Sequence, residues 1–175
     1  MNKNFSKTLY LSQAGLVAAI YAIVSLLSMV AGLAFGPIQF RLAECLYIVF
    51  LDTPAMIPGI VLGCAITNIA SPYGVIDIVI GSLASLLAAF LAYRLRHIRL
   101  HDIPILSMLF PVICNALIVG AEIAFMQNNE KVSFFFFITT AAEIAVSEIV
   151  TMVLGLFIKK IIDRTEVRKN EESNK

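Results

Sequence analysis

Residues 9–34, LYLSQAGLVAAIYAIVSLLSMVAGLA, contain no Asp, Glu, Lys or Arg. A helix needs about 20 mostly apolar residues to cross the hydrocarbon core of a bilayer, and the apolar region of a secretory signal is shorter than this run. The stretch is therefore expected to be a retained transmembrane helix, and no clean A-x-A cleavage site closes it. Composition agrees, since 59% of the 175 residues are hydrophobic and 14% charged, with a mean hydropathy of +0.89. Such values indicate one membrane domain, and the net charge of +1 gives no sign of a nucleic-acid partner.

Further apolar windows fall at about 42–51, 55–69, 75–93, 103–126 and 134–162. Asp-Thr-Pro, Ser-Pro-Tyr-Gly, an Arg-rich break and Asn-Asn-Glu-Lys separate them. The expected fold class is all-α: a polytopic membrane protein folded as a compact bundle of six transmembrane helices. Residues 1–8 form a cytoplasmic segment, 9–162 the membrane domain, and 163–175 a polar tail expected to fray into the cytosol. The second and third windows are too short to span about 30 Å unaided, so they are expected to be tilted, partly re-entrant, or extended by neighbouring loop residues buried in protein.

Short cytoplasmic loops retain Lys and Arg, which fixes the expected orientation. Lys3, Lys7, Arg94, Arg96, Arg99, Lys159, Lys160, Arg164, Arg168, Lys169 and Lys175 fall on one side of a six-span chain, with Arg41 and Lys131 on the other. Both termini are expected in the cytoplasm of a bacterial cell. The segment FGPIQFRLAE (35–44), the Ser71–Gly74 turn and the 127–133 loop then share the outer face.

Motifs for nucleotide hydrolysis (G-x-x-x-x-G-K-[ST]), for serine hydrolases (G-x-S-x-G) and for zinc proteases (H-E-x-x-H) do not occur. Cys45, Cys64 and Cys114 have no metal-ligand spacing and are expected to be buried apolar thiols. His97 and His101 are four apart, but lie in a basic loop. No enzyme activity, metal or cofactor is expected.

Polar groups inside the apolar windows are informative, because an ionised carboxylate at mid-helix costs at least about 2.5 kcal/mol unless paired, protonated or facing water. They are Asn68, Asp77, Asn115, Glu122, Glu143 and Glu148. Asn115 and Glu122 are seven apart and so are expected on one helical face. Thr140, Glu143 and Ser147 would form a stripe on the last helix, with Glu148 deeper. Such groups either specify helix packing or form a site. The acids outnumber the outer cations, so the second option would suit a cationic or donor-rich ligand, or a proton or cation relay. On the first helix Ala14, Ala18 and Ala22 make a small-residue stripe, fitted to close packing within the chain or against a partner.

Six hydrophobic segments, the A-x-x-x-A first helix, GPIQFRLAE, GVIDIVIGSLASLLAA and NALIVGAEIAF together resemble the QueT family. These are queuosine-precursor S components of energy-coupling factor (ECF) transporters. The resemblance covers about Ser12 to Lys160, and GPIQFRLAE is its most specific piece. It implies a substrate-binding subunit that captures a 7-deazaguanine, such as queuine or its 7-aminomethyl precursor, outside the cell. A transmembrane coupling subunit and two cytoplasmic ATPases would drive uptake, the S component toppling to release its ligand inward. Ala14, Ala18 and Ala22 would pack on the coupling subunit. Glu122 and Glu143 are the first candidates for ligand contact, followed by Asn115, Asp77, Gln39, Asn68, Arg41 and Glu148. Phe40, Tyr47 and Tyr73 would be the candidates to stack on the ring. Within FGPIQFRLAE, a surface Arg41–Glu44 pair is one option; the other is a lid in which Gln39 touches ligand and Arg41 holds the loop against the acids. A stand-alone cation-coupled carrier, or an S component for another vitamin-like solute, are the competing expectations.

Overall fold

The computed structural model describes residues 3–33, 40–127 and 134–173. Gln39, Lys131 and most of the outer loops singled out above lie outside them. Among the described residues the chain is all-helical apart from one isolated bridge between Leu100 and Ile103. The elements are α1 (Lys3–Val30), a 3-10 turn (Leu42–Cys45) running into α2 (Leu46–Val49), α3 (Met56–Asn68) and α4 (Val75–Arg94). After these come α5 (Ile105–Cys114), a π turn (Asn115–Val119), α6 (Gly120–Gln127) and α7 (Phe134–Ser173). Among the described residues four stretches are long and apolar enough to cross a membrane: Lys7–Val30, Val75–Arg94, Ile105–Met126 and Phe134–Lys169.

The sorting of side chains is that of a lipid-embedded protein. Leu16, Ile23, Leu27, Leu83, Phe90, Leu117, Val153 and Phe157 are exposed, whereas Glu44, Ser85, Ser107, Asn115, Glu148 and Thr151 are buried. A bilayer supplies apolar surroundings to the outer belt, while polar groups find partners only inside the bundle. Residues 42–49 are an eight-residue helical piece walled in by protein, with Tyr47, Ile48 and Leu51 inaccessible, and α3 stands against α1 along its length.

That α1–α3 contact corrects the expected use of the alanine stripe. Ala14, Ala18 and Ala22 are all buried, facing α3 within the same chain. A Cβ added to Gly59 would lie 2.6 Å from Val17 Cβ and 2.9 Å from the Ala14 carbonyl oxygen. One added to Gly63 would lie 2.7 Å from Tyr21 Cβ and 2.9 Å from the Ala18 carbonyl oxygen. Small residues on α1 meet glycines on α3 with backbones nearly touching, so this face is consumed by intramolecular packing and is not open to a coupling subunit. Gly155 on α7 does the same for residues 42–49, since a Cβ there would collide with the Cys45 carbonyl.

The end carrying the basic residues is tied together by charge. Asp52 binds Lys159 at 2.7 Å and Arg99 at 3.3 Å, joining the α2–α3 loop, the α4–α5 connection and α7. Partial burial opposes ionisation of Asp52, but the hydrogen bond and charge of Lys159, then Arg99 and Arg96, outweigh it and hold the carboxyl below its usual range. The polar tail does not fray at residue 163: α7 continues to Ser173, about 60 Å of helix at 1.5 Å per residue. Arg168 and Glu172 form an i,i+4 pair on that extension. His97 and His101 share no helix, because a tight turn with left-handed His101 and Asp102 intervenes before α5.

Candidate functional site

At the opposite end, the helices splay around an open cavity of about 750 Å³ including its mouth. Its wall comes from the end of α1 (Tyr21, Ser25, Ser28, Met29), from Phe40, Arg41 and Leu42, and from the end of α3 (Thr67, Asn68). Ser71, Tyr73 and Asp77 close one side, and Val119 and Ile123 the other. Five of the expected site residues therefore line one space: Phe40, Arg41, Asn68, Tyr73 and Asp77. Asn68 donates through Nδ2 to the Asp77 carbonyl at 2.8 Å and to its Oδ1 at 3.3 Å, which fixes the carboxylate at the first turn of α4. Gly81 leaves the room that the Asn68 amide occupies.

Beneath this wall lies a buried polar cluster. Glu44, wholly inaccessible, accepts from the Tyr21 hydroxyl at 2.7 Å and pairs with Arg41 Nη2 at 3.1 Å through the same oxygen, Oε1. The Arg41–Glu44 pair thus forms, but it is not a surface pair. Tyr21 lies in the middle of the α1 apolar run, so this half of FGPIQFRLAE reaches into the bundle. Asn115 donates to Glu148 Oε1 at 2.8 Å, and Glu148 lies near enough to Glu44 and Arg41 to feel both charges. The thiol of Cys64 is also in polar company, 3.6 Å from Asn68 Nδ2 and 4.0 Å from Arg41 Nη2. Buried oxygens without a hydrogen-bond partner among the described residues include Oε2 of Glu44 and Glu148, Oδ1 of Asn115 and both carboxylate oxygens of Glu122.

Two expectations about helix faces change. Asn115 and Glu122 do not act as one face, because the π turn between them inserts an extra residue and turns the downstream face by about 100°, the step of one residue. Asn115 goes to Glu148, while Glu122 sits buried beside Val119 and Ile123 of the cavity wall, near Asp77 and Arg41. Glu143 does not join the inward stripe: it is exposed and is not part of the cavity wall, whereas Thr140, Ile144, Ser147, Glu148 and Thr151 are buried. At 100° per residue the buried arc of α7 centres near Ile144 and Thr151, and Glu143 lies about 80° to one side. Tyr21 and the α1 serines were not singled out in the sequence, and Glu44 was expected only as the surface partner of Arg41. An acid flanked by Leu42-Ala43 and Cys45-Leu46 was itself a sign of burial.

Among the described residues no group of three or more His, Cys, Asp or Glu could hold a metal. The site offers a guanidinium, a carboxylate held by an amide, hydroxyls and three aromatic rings, suited to a flat polar solute with both donors and acceptors.

The profile of the family described as "QueT transporter" matches residues 11–164. The "Queuosine precursor transporter QueT" of Lactococcus lactis subsp. cremoris (strain MG1363) is 32% identical over 81 residues. That alignment covers 46% of this chain and 47% of the relative, so the matched stretch spans about half the length of each. No solved structure matches the chain.

Proposed function

Since the chain belongs to the QueT transporter family, we propose that it is the substrate-binding subunit of an ECF-type importer that captures a 7-deazaguanine queuosine precursor. In this reading it sits in the bacterial cell membrane as a six-segment bundle with both termini in the cytoplasm. A transmembrane coupling subunit and two cytoplasmic ATPases supply the energy. The observation that carries it is the cavity, which opens at the end remote from the basic residues and so faces outward by the positive-inside rule. Phe40 and Tyr73 provide faces for a fused ring, and Asp77 with buried Glu122 provides negative charge for the amine of the side arm. The residues brought together differ from the first expectation: Glu143 leaves the candidate set, and Asn115 and Glu148 act from beneath.

Calorimetric titration of the purified chain with 7-aminomethyl-7-deazaguanine tests this reading. Saturable one-to-one binding that 7-deazaguanine with a neutral side arm matches only weakly is the expected result. Absence of binding in a folded, monodisperse sample would remove the substrate assignment.

A further inference from the structure

Arg41 presents an unusual arrangement for a cation in an apolar bundle. It lines the cavity with 21% of its side chain exposed, while its partner Glu44 is completely buried below. Both described contacts, to Glu44 Oε1 and to Cys64 Sγ, use the single nitrogen Nη2. Nε and Nη1 make no hydrogen bond to any described residue. A guanidinium carries five N–H donors in a rigid plane, so anchoring one nitrogen fixes the direction of the others. Glu44 is anchored in turn: its Oε1 accepts from Tyr21, which α3 presses from behind at Gly63.

We propose that Arg41 is the donor that reads a carbonyl acceptor on the ligand's heterocycle, and that Glu44 is the positioning residue that aims it. The proposal rests on the 7-deazaguanine reading and deepens it. Among the charged and amide groups of the cavity Asp77 is an acceptor, Glu122 lies beside the wall as another, and the Asn68 amide nitrogen is spent on Asp77, while the Tyr21, Ser28 and Thr67 hydroxyls donate to Glu44, the Val24 carbonyl and the Gly63 carbonyl. A deazaguanine edge also presents a lactam oxygen, and its lost N7 leaves that oxygen as the one acceptor on the side a guanidinium would otherwise grip at two points. Arg41 supplies the matching donor. A site that offers fixed donors to a carbonyl rejects an analogue bearing an amino group there, because donor meets donor and both lose water. Glu44 also explains how a cation is kept in the wall without ligand: Glu44, Glu148 and Glu122 all lie near enough to act on its charge.

The test compares 7-aminomethyl-7-deazaguanine with its 2,6-diamino counterpart, in which an amino group replaces the lactam oxygen and the ring N1–H is lost with it, by calorimetry on the purified full chain. Wild type should favour the lactam at least about tenfold, the lower end for a hydrogen bond from a charged donor. Arg41→Gln and Glu44→Gln should each lower that ratio at least about threefold, the part that remains reporting the N1–H that the carboxylates accept. Arg41→Lys, which keeps a charged donor, should hold an intermediate ratio. Thermal melting verifies folding; should Glu44→Gln not fold, Glu44→Asp takes its place and should lower the ratio in part. Discrimination unchanged from wild type in folded Arg41→Gln overturns the donor role, and unchanged discrimination in the folded Glu44 variant overturns its positioning role. Wild-type protein that binds neither compound overturns the substrate reading and this inference with it.

Discussion

Glu122→Gln gives two effects of opposite sign. Glu122 is 5% exposed, and neither of its carboxylate oxygens has a donor among the described residues. Val119 and Ile123, which bracket it on the same strut, line the cavity, and Asp77 stands near enough to add to its negative field. Glutamine keeps the shape and one acceptor but loses the charge. If the ligand's ammonium pairs with this carboxylate, the substitution removes a charged hydrogen bond worth about 1.5–3 kcal/mol, or roughly 10- to 150-fold in Kd. In the unliganded protein the same change relieves a buried acid with no partner, so the melting temperature should stay level or rise. Calorimetry for the first effect and thermal unfolding in detergent for the second separate a binding role from a packing role. A folded variant that binds within threefold of wild type would refute the ammonium contact, and one that melts lower with unchanged affinity would mark Glu122 as structural.

Ala18→Leu should damage the protein's own packing, because the Ala18 carbonyl already lies 2.9 Å from where a Gly63 Cβ would be. Overpacking of this kind costs about 1–3 kcal/mol, so thermal melting should drop and ligand affinity should fall with it through displacement of Tyr21. Normal stability would show that α1 and α3 have room to part. Asp52→Asn removes the centre of the staple at the basic end, and its exposure and salt screening limit the loss to about 0.2–1 kcal/mol. Because the Asp52 carboxyl is held below its ordinary range, wild type should have this advantage above about pH 4 and lose it as pH falls through the lowered value. A wild-type minus Asp52→Asn stability difference that grows on acidification would contradict the staple.

The long apolar runs made the spans legible, since a span is a property of local composition. Among the described residues four of the windows appear as helices able to cross a membrane; of the two short ones, residues 42–49 are enclosed by protein, whereas α3 packs on α1 and leaves Leu62 and Ile66 exposed. Lining residues at the ends of helices, Asn68, Tyr73 and Asp77, were equally accessible to reasoning, because Ser-Pro-Tyr-Gly fixes the turn that gathers them. What failed was angular. The π turn following Pro111 breaks the seven-residue relation of Asn115 and Glu122, and no residue in NALIV announces it. Glu143 and Glu148 differ only in which side of α7 they occupy, and that is set by α5, α6 and residues 42–49 packing against it. The alanine stripe shows the same limit: its spacing specifies a close helix contact without naming the partner, and here the partner is α3. Glu44 was hidden by its neighbour Arg41, since an i,i+3 ion pair is usual at a surface and only the fold shows that it is enclosed.

The most direct measurement is uptake of a labelled queuosine precursor into proteoliposomes containing the chain alone, or the chain with the ECF coupling subunit and both ATPases. A substrate-binding subunit predicts binding but no accumulation by the chain alone under any imposed ion gradient, and ATP-dependent accumulation once the partners are present. Gradient-driven uptake by the isolated chain, with no gain from partners or ATP, would contradict the account and identify the buried acids as a coupling relay instead.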